Sequence, residues 1–332
     1  MTGGRRAGLT GGQGATSGGL EGLYPILKPP GMTSHDVVAA VRRLTGERHV
    51  GHAGTLDPAA SGVLLVLVGQ TATRLSEYLL DLPKTYLAEV RFGVATDTQD
   101  YTGREVSRSP KTSLGRLDRE AVVRALPGFC GRLEQVPPMV SAVKVGGERL
   151  YRLAREGRTV EVPPRSITIY SLELLEFAGT AAAREAGEPL PAARLRVTCS
   201  RGTYIRTLAH DLGRALGLDA HLGFLVREAV GPFRLEGTLS LEELAGLAVA
   251  GTLERAMVPP SEAVGHLPAL HLGPADVDRV RRGGILDWAG EDPGGLVRVL
   301  APDGQLTAIA LLDGGRLRPR KVLRPWNGGR GR

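Results

Sequence analysis

The sequence predicts an α+β fold, in which a mixed, mostly antiparallel sheet with flanking helices is followed by a small β-rich C-terminal domain. Two observations predict this class. Segments with the period of strands and segments with the spacing of helices follow one another as far as Pro259 and Pro260. Beyond these prolines, residues 268–323 contain one short helical segment and strand-like runs at residues 296–300 and 306–312.

The N-terminal elements are predicted to be a strand, a helix, a loop and a buried strand. Residues 23–27 form the first short strand. Ser34 is expected to cap a helix that ends at Gly46. Residues 47–62 are rich in glycine, histidine and aspartate, which predicts a loop. Residues 63–68 are continuously apolar and lie between glycines, which is typical of a strand buried on both faces.

The later elements follow from the same patterns. Residues 85–92 alternate between two faces and predict a half-buried strand, whereas residues 178–191 are rich in alanine, glycine and glutamate and predict a surface loop. The remaining predictions are, in chain order, a short helix marked by Ala72, Leu75 and Leu79, a helix from Asp118 through Leu126, an extended linker at 135–139, strands at 141–145, 167–177 and 195–200, a helix through Ile205, Leu208, Leu212 and Leu216, a helix opened by a capping box at 240–243, and a short helix near 274–282.

The composition is that of a soluble globular protein. The chain has 332 residues, of which 42% are hydrophobic and 23% charged. The longest purely apolar run, at residues 63–68, is far shorter than the roughly 20 residues that span a bilayer. Cys130 and Cys199 are too few for a disulfide scaffold, and no apolar segment follows Arg5 and Arg6 as it would in a secretory signal. We therefore expect a cytoplasmic protein with no membrane contact.

The positive charge is concentrated at the C-terminal end. The formal net charge is +7, and residues 316–332 contain lysine and arginine but no acidic residue. Such a segment can neutralise phosphates and release counterions from a nucleic acid, or it can be a solvated tail that aids solubility. Charge alone leaves both interpretations open.

The loop at residues 48–62 contains most of the residue types that carry chemistry. Asp57 precedes a proline and is a candidate general base, metal ligand or nucleophile, or else the cap of a turn. His49 and His52 are three residues apart, but the glycines around them argue against a helix and no third ligand is near in sequence, so a metal site is not favoured. The chain also lacks the phosphate-binding P-loop pattern and the Gly-x-Ser-x-Gly elbow of serine hydrolases.

Two further segments are candidates for a binding site. Tyr86 lies on the apolar face of its strand, where it is either a core residue or part of a site. Residues 199–206 join a strand to a helix, so that helix N-terminal amides and Arg201 or Arg206 can meet an anion. Alternatively, Arg206 lies on the exposed face of the helix and Tyr204 packs locally. These segments indicate an anionic or phosphate-bearing substrate.

Residues 51–62, which read GHAGTLDPAASG, closely resemble the catalytic motif of the TruB-type tRNA pseudouridine synthases of bacteria. Other blocks of that family are matched in the same order across about residues 23–235, namely KPPGMTS at 28–34, KTY at 84–86, QVPPMVSAVK at 135–144, GERLY at 147–151 and CSRGTYIR at 199–206. The terminal module resembles a PUA-type RNA-binding domain.

This resemblance implies isomerisation of uridine to pseudouridine at position 55 in the T-loop of tRNA, without a cofactor or metal. By the family pattern, Asp57 is the nucleophile that attacks ribose C1′ or uracil C6, and Arg206 pairs with it. Tyr86 would stack on the flipped base and assist proton removal. Three further residues are implied in substrate binding: Tyr204 and Leu225 line the uridine pocket, and His52 enters the space that the flipped nucleotide leaves. Asp100 resembles a second carboxylate of the pocket.

The predicted organisation is a flexible Gly-rich extension at 1–20, a catalytic domain at 21–260 with a mobile lid at about 128–155, a PUA-like RNA-binding domain at 261–325 and a basic tail at 326–332. The expected partner is the T-arm of tRNA, and we expect a monomer that needs no other protein. Two alternatives remain: a guide-RNA-dependent pseudouridine synthase subunit, and a tRNA-binding or tRNA-folding module with secondary catalysis.

Overall fold

A computed structural model of the chain describes residues 19–323, apart from residues 142, 159 and 186–189. The strands of this part are, in chain order, β1 (Gly22–Lys28), β2 (Val50–Ala53), β3 (Ser61–Val68), β4 (Lys84–Phe92), β5 (Val94–Thr96), β6 (Glu105–Arg108), β7 (Gly131–Gln135), β8 (Lys144–Val145), β9 (Glu148–Arg149), β10 (Arg165–Ala178), β11 (Ala192–Cys199), β12 (Ala220–Val230), β13 (Phe233–Arg234), β14 (Ala269–His271), β15 (Leu286–Asp287), β16 (Gly295–Leu300), β17 (Leu306–Asp313) and β18 (Arg316–Val322).

The helices of the same part are α1 (Ser34–Thr45), α2 (Gln70–Thr73), α3 (Ser76–Leu80), α4 (Lys111–Leu114), α5 (Arg119–Ala125), α6 (Leu150–Arg155), α7 (Thr180–Glu185), α8 (Ile205–Ala215), α9 (Leu241–Val249), α10 (Pro260–Ala263) and α11 (Pro274–Arg281). In the described part of the chain, no helix is long and apolar enough to cross a membrane. The predicted Gly-rich extension, except for its last two residues, and the predicted tail at 326–332 lie outside the described residues.

The large sheet confirms the predicted mixed, mostly antiparallel architecture. Its strands follow the order β1-β3-β12-β4-β11-β10-β7, with β2 paired to β3 and β13 paired to β12. Only the pair of β3 and β12 is parallel among these described strands, and it brings Val226 beside Ser61 and Arg227 beside Gly62. Since β3 follows the Asp57 loop directly, this parallel pairing places β12 next to that loop.

The core explains the strand patterns. Every residue of β3 from Gly62 to Val68 is buried, as the apolar run between glycines predicted. In β4, Ala88, Val90 and Phe92 are buried against Leu208 and Leu212 of α8, which confirms the helical phase of the segment after Gly202. Helix α8 therefore packs against one face of the sheet.

The first helix begins one residue earlier than the sequence predicted. The cap is Thr33, because its hydroxyl accepts the Asp36 N–H while the Asp36 carboxylate accepts the Thr33 N–H. Ser34, the predicted cap, is buried instead and bonds to the backbone of Leu56. The helix ends as predicted at Gly46, which is left-handed at φ 70°.

Three local predictions were wrong, and one was too coarse. The loop predicted at 47–62 contains β2, which pairs with the buried strand β3 in spite of its glycine and histidine content, so tertiary pairing overrode local propensity. The strand predicted at 141–145 is reduced to a two-residue ladder, because a glycine turn at 146–147 closes a short hairpin with β9. Part of the loop predicted at 178–191 is the alanine-rich helix α7. The single helix predicted around Leu75 is two short ones, α2 and α3.

A second sheet, with the order β14-β16-β17-β18-β15, forms the β-rich C-terminal part. The structure confirms the predicted strands at 296–300 and 306–312 and the helix near 274–282, here α11. It also shows that the basic residues 316–322 form strand β18, which lies between β17 and β15, rather than a tail. The second sheet contacts α2 and α3, where Arg74 donates to the Val322 carbonyl at 2.9 Å and Lys321 pairs with Glu77.

Candidate active site

The loop that carries Asp57 is fixed to its surroundings through its backbone. Leu56 exchanges two hydrogen bonds with the Ser34 hydroxyl, at 2.9 and 3.1 Å. The Ala60 N–H donates to the Asp57 carbonyl at 3.1 Å, which closes a tight turn across Pro58. Because the backbone holds the loop in place, the carboxylate oxygens of Asp57 are not needed for hydrogen bonds that stabilise the loop.

Arg227, on β12, also holds the loop that carries Asp57 in place. Its guanidinium is almost completely buried and donates to the carbonyls of Gly54, Thr55 and Val63, at 2.9, 3.4 and 2.7 Å. Gly62 permits the close approach of the Arg227 backbone to β3, because a Cβ at position 62 would lie 2.3 Å from the Arg227 carbonyl oxygen. Arg227 therefore joins the two ends of the Asp57 loop.

Lys28, the last residue of β1, forms further hydrogen bonds that hold the Asp57 loop. Its ammonium group donates to the carbonyls of Met32, Pro29 and Pro58, at 2.6, 2.9 and 3.3 Å, and the residue is fully buried. Burial lowers the pKa of Lys28 to about 8, partly offset by the nearby Asp57 carboxylate. The lysine thus places a positive charge behind the aspartate.

Asp57 faces Arg206 of α8. The Arg206 Nε lies 2.9 Å from an Asp57 carboxylate oxygen, in an ion pair whose angle is not that of a hydrogen bond. The Arg206 side chain is 4% exposed, whereas that of Asp57 is 43% exposed. The alternative that Arg206 lies on the exposed helix face is therefore wrong. The pair has one buried cation and one carboxylate that a substrate can reach.

The other Arg206 nitrogens are held by backbone carbonyls. Nη1 donates to Thr98 at 3.1 Å and Nη2 donates to Val140 at 3.0 Å. Asp100 is buried with one oxygen 3.9 Å from Arg206 Nε, and its other oxygen accepts from Thr98 and Thr102. The guanidinium is thus oriented by three segments of the chain, and Asp100 adds a second carboxylate behind it.

A cavity of about 300 Å³ opens beside Asp57. Most of the residues that the sequence singled out lie in its wall, together with several that it did not. The lining includes Gly54, Thr55, Leu56, Asp57, Lys84, Tyr86, Ser141, Arg201, Thr203, Tyr204, Leu225 and Arg227. The structure therefore brings together Asp57, Tyr86, Tyr204 and Leu225 from four separate segments.

The two tyrosines of the cavity have different environments. Tyr86 is buried, and burial raises the pKa of its phenol, although Arg227 acts in the opposite direction. Tyr204 is held through its backbone, because its N–H donates to the Gln135 side chain at 2.7 Å and its carbonyl accepts from the same amide at 3.0 Å. Gln135 thereby fixes the entry of α8.

His52 does not line this cavity. It lies on β2 opposite Val66, next to the loop that carries Asp57, and its Nδ1 has no hydrogen-bond partner among the described residues. Burial lowers the pKa of His52, and Arg227 and His35 act in the same direction. The imidazole is therefore neutral at pH 7. In the described part of the chain, no three His, Cys, Asp or Glu side chains are grouped as metal ligands.

Sequence reasoning assigned no role to Arg227, Lys84 or Gln135. Lys84 is buried in the cavity wall, where it donates to the carbonyls of Leu80 and Leu82. Lys84 and Gln135 belong to matched motifs, which signalled importance without saying what the side chains contact. For Arg227 the only signal is a basic residue inside an otherwise largely apolar strand.

Comparison with known proteins identifies the family. Residues 42–205 match the family described as TruB family pseudouridylate synthase (N terminal domain), and residues 206–264 match the tRNA pseudouridylate synthase B C-terminal domain. The chain is 51% identical over 264 residues to tRNA pseudouridine synthase B of Symbiobacterium thermophilum, covering 80% of this chain and 82% of that protein. It is 42% identical over 304 residues to the protein of that name from Pelotomaculum thermopropionicum, covering 90% and 92%.

Solved structures agree with this assignment. A crystal structure of a Cbf5-Nop10-Gar1 complex contains a chain with 27% sequence identity and a TM-score of 0.69, and the match covers 94% of the present chain and 87% of that one. The similarity supports a pseudouridine synthase fold. The chain belongs to the TruB family of pseudouridylate synthases and is an isomerase that acts on tRNA.

Proposed function

We propose that the protein isomerises uridine 55 in the T-loop of tRNA and that Asp57 is the nucleophile. The observation that carries this proposal is the asymmetry of the ion pair, in which Asp57 is 43% exposed and Arg206 is 4% exposed. The buried Arg206 guanidinium lies 2.9 Å from one oxygen of the carboxylate, and the exposed side of that carboxylate borders a cavity of about 300 Å³. A reactive anion at the wall of a concave pocket is the arrangement that covalent catalysis requires.

The reaction rearranges bonds within one nucleotide. An Asp57 oxygen forms a bond either to ribose C1′, as the N1–C1′ bond breaks and its electron pair stays on the uracil, or to uracil C6, as the C5–C6 π electrons move onto the uracil carbonyl; in this second route the N1–C1′ bond breaks afterwards, with its electron pair on N1. In both routes the base turns, C5 bonds to C1′, the proton of C5 is lost and N1 gains one, and the bond to Asp57 breaks. The carboxylate is regenerated and no atom is gained or lost overall.

The substrate base must leave its stack to reach Asp57. Tyr86 lies in the cavity wall and is the residue that we assign to stacking on the flipped uracil. Because burial raises its pKa, the phenol is protonated at neutral pH and is a poor proton acceptor in the free enzyme. Tyr204 and Leu225 would enclose the rest of the nucleoside. His52, neutral and adjacent, would occupy the space that the nucleotide leaves.

The chain outside the pocket is assigned to RNA binding. The segment at about 128–155 would close over the RNA as a lid, and its attachment to the active site is supported by the contacts of Gln135 with Tyr204 and of Val140 with Arg206. The second sheet, within the proposed domain at 261–325, would contact the tRNA backbone as a PUA-like module. We propose that the enzyme acts in the cytoplasm as a monomer without a protein partner.

A guide-dependent activity is the second candidate. It is favoured by the structural similarity to a chain in an H/ACA RNP bound to a substrate RNA, with 26% identity and a TM-score of 0.67. The two candidates differ in one requirement, because a guide-dependent enzyme leaves bare tRNA unmodified.

Replacing Asp57 tests the assigned nucleophile. We expect Asp57→Asn to abolish pseudouridine formation while tRNA binding stays within a few-fold of wild type, because the amide keeps the shape of the side chain but cannot attack. Pseudouridine is measured by carbodiimide labelling and primer extension, and binding by filter retention. Asp313→Asn, at an exposed position in the second sheet, is the matched control. Turnover by Asp57→Asn would contradict the assignment.

A further inference from the structure

Ser141 has a buried hydroxyl that lies in the cavity wall without an internal hydrogen bond in the described part of the chain. The residue is 5% exposed, and its Oγ has no hydrogen-bond partner among the described residues. The same side chain lies in the wall of the cavity beside Asp57. A buried hydroxyl without a partner costs about 1–3 kcal/mol, so such a group calls for an explanation.

The neighbouring polar groups are already engaged. The carbonyl of Val140 accepts from Arg206 Nη2 at 3.0 Å. The Gln135 side chain is used twice by the backbone of Tyr204. By contrast, Ser200, which also lines the cavity, has its hydroxyl bonded to the Thr168 N–H at 2.9 Å. Ser141 thus contributes to this wall a buried hydroxyl that has no partner among the described residues.

Arg206 connects the segment that carries Ser141 to the reacting carboxylate. One nitrogen of this guanidinium lies 2.9 Å from Asp57, and another donates to the peptide carbonyl directly before Ser141. The serine and the aspartate therefore line the same cavity, and one planar group contacts both the aspartate and the peptide before the serine. A nucleoside that places C1′ or C6 against Asp57 presents its own polar groups to that wall.

We propose that Ser141 is a substrate-contacting residue whose hydroxyl hydrogen-bonds the target nucleoside, at the ribose 2′-hydroxyl or at a polar edge of the uracil. This inference rests on the proposed function, since it takes a flipped uridine as the occupant of the cavity. A serine hydroxyl both donates and accepts, so it positions the nucleoside rather than choosing between bases.

The test combines steady-state kinetics with thermal unfolding. We expect Ser141→Ala to lower kcat/KM for an unmodified tRNA transcript about tenfold, because one hydrogen bond to the nucleoside is lost. The melting temperature should stay unchanged or rise, because the variant removes an unpartnered buried hydroxyl. Ser141→Cys keeps the shape with a weak donor and should lose activity in the same way.

Thr307→Val is the matched control. Its hydroxyl is also buried and without a partner among the described residues, but it lies on β17 of the second sheet. The control should leave kcat/KM unchanged and affect the melting temperature in the same direction. A lower melting temperature of Ser141→Ala with unchanged kcat/KM would show a structural serine and overturn the proposal.

A transcript with 2′-deoxyuridine at the target position locates the contact. If the ribose hydroxyl is the partner, the effect of Ser141→Ala disappears with this substrate; if the uracil is the partner, the tenfold effect persists. Both results support a nucleoside contact. Failure of the wild-type enzyme to form pseudouridine in the unmodified transcript would instead overturn the proposed function, whereas normal wild-type turnover of that transcript with fully active Ser141 variants overturns this proposal alone.

Discussion

Arg206 makes three contacts that a lysine could not make at once. Its three nitrogens face Asp57, Thr98 and Val140, in directions set by one planar group. A lysine presents a single point charge on a flexible stem and would leave at least one buried carbonyl without a donor. The guanidinium therefore orients the carboxylate and at the same time attaches two loops to the active site.

Lys84 gives a pH dependence that can be measured. Burial, and the nearby Arg227, lower the pKa of Lys84 in the folded protein to about 8, whereas an unfolded chain has about 10.4. Below pH 8 both states are protonated and the cost of burying the charge is fully present. Between these two pKa values the unfolded state binds more protons, so the free energy of unfolding rises with pH.

We predict that the free energy of unfolding of wild type relative to Lys84→Met rises by about 2 kcal/mol between pH 7.5 and 10. The difference in the free energy of unfolding between wild type and Lys84→Met reports the titration of Lys84 alone, because Lys28 titrates in both proteins. Chemical denaturation at a series of pH values measures it. Lys111→Met removes an exposed lysine and should leave the profile unchanged. If the free energy of unfolding of wild type relative to Lys84→Met stayed constant or fell with pH, the burial of a charged Lys84 would be contradicted.

Strand β18 shows that several basic residues of the C-terminal segment belong to a sheet. Arg316, Arg318 and Arg320 are exposed, whereas Leu317 between them is fully buried in the second sheet. The charges are thus displayed on one face of an ordered strand by a side-chain period of two. They remain candidates for phosphate contacts, but a truncation that removes them also removes a strand.

We predict opposite results for two truncations. Ending the chain after Leu323 should leave the melting temperature within a few degrees of wild type, because β18 and its buried neighbours are kept. Ending it after Asp313 removes β18 and exposes β17, and each buried leucine lost costs about 1.5–3 kcal/mol, so the second sheet should unfold. Hydrogen exchange of β17 amides reports the result. Protected β17 amides in the shorter chain would contradict the strand assignment.

The elements that the sequence predicted correctly are those whose pattern is local. The apolar run of β3, the alternation of β4 and the end of α1 at Gly46 depend on neighbours within a few residues. Strand β2 was missed because it is stabilised by β3, and its own residues favour a loop. The strand predicted at 141–145 was too long, because the glycine turn at 146–147 limits β8 to two residues.

In the candidate site, too, the residues with local sequence motifs could be predicted and the long-range contacts could not. Asp57, Tyr86 and Arg206 could be named from motifs, but nothing in the sequence states that Arg227 binds the two ends of the Asp57 loop. That contact depends on the parallel pairing of β12 with β3, which joins segments more than a hundred and fifty residues apart. Long-range pairings of this kind are set by the whole fold.

At the scale of the molecule, the second sheet is attached to the large sheet through α2 and α3. An apolar cluster joins Leu75 and Val264 to Leu300, Ile309 and Leu323. Arg74 and Lys321 add polar contacts at its edge. A tRNA bound by the exposed arginines of β18 would therefore be held on a part of the chain that is packed against the catalytic part.

The most direct test of tRNA pseudouridylation at position 55 is to incubate the pure protein with an unmodified tRNA transcript and map pseudouridine by carbodiimide labelling and primer extension. No guide RNA and no second protein are added. We predict a single stop that reports uridine 55 of the T-loop. Stops at other uridines, or none in a transcript that the protein binds, would contradict it.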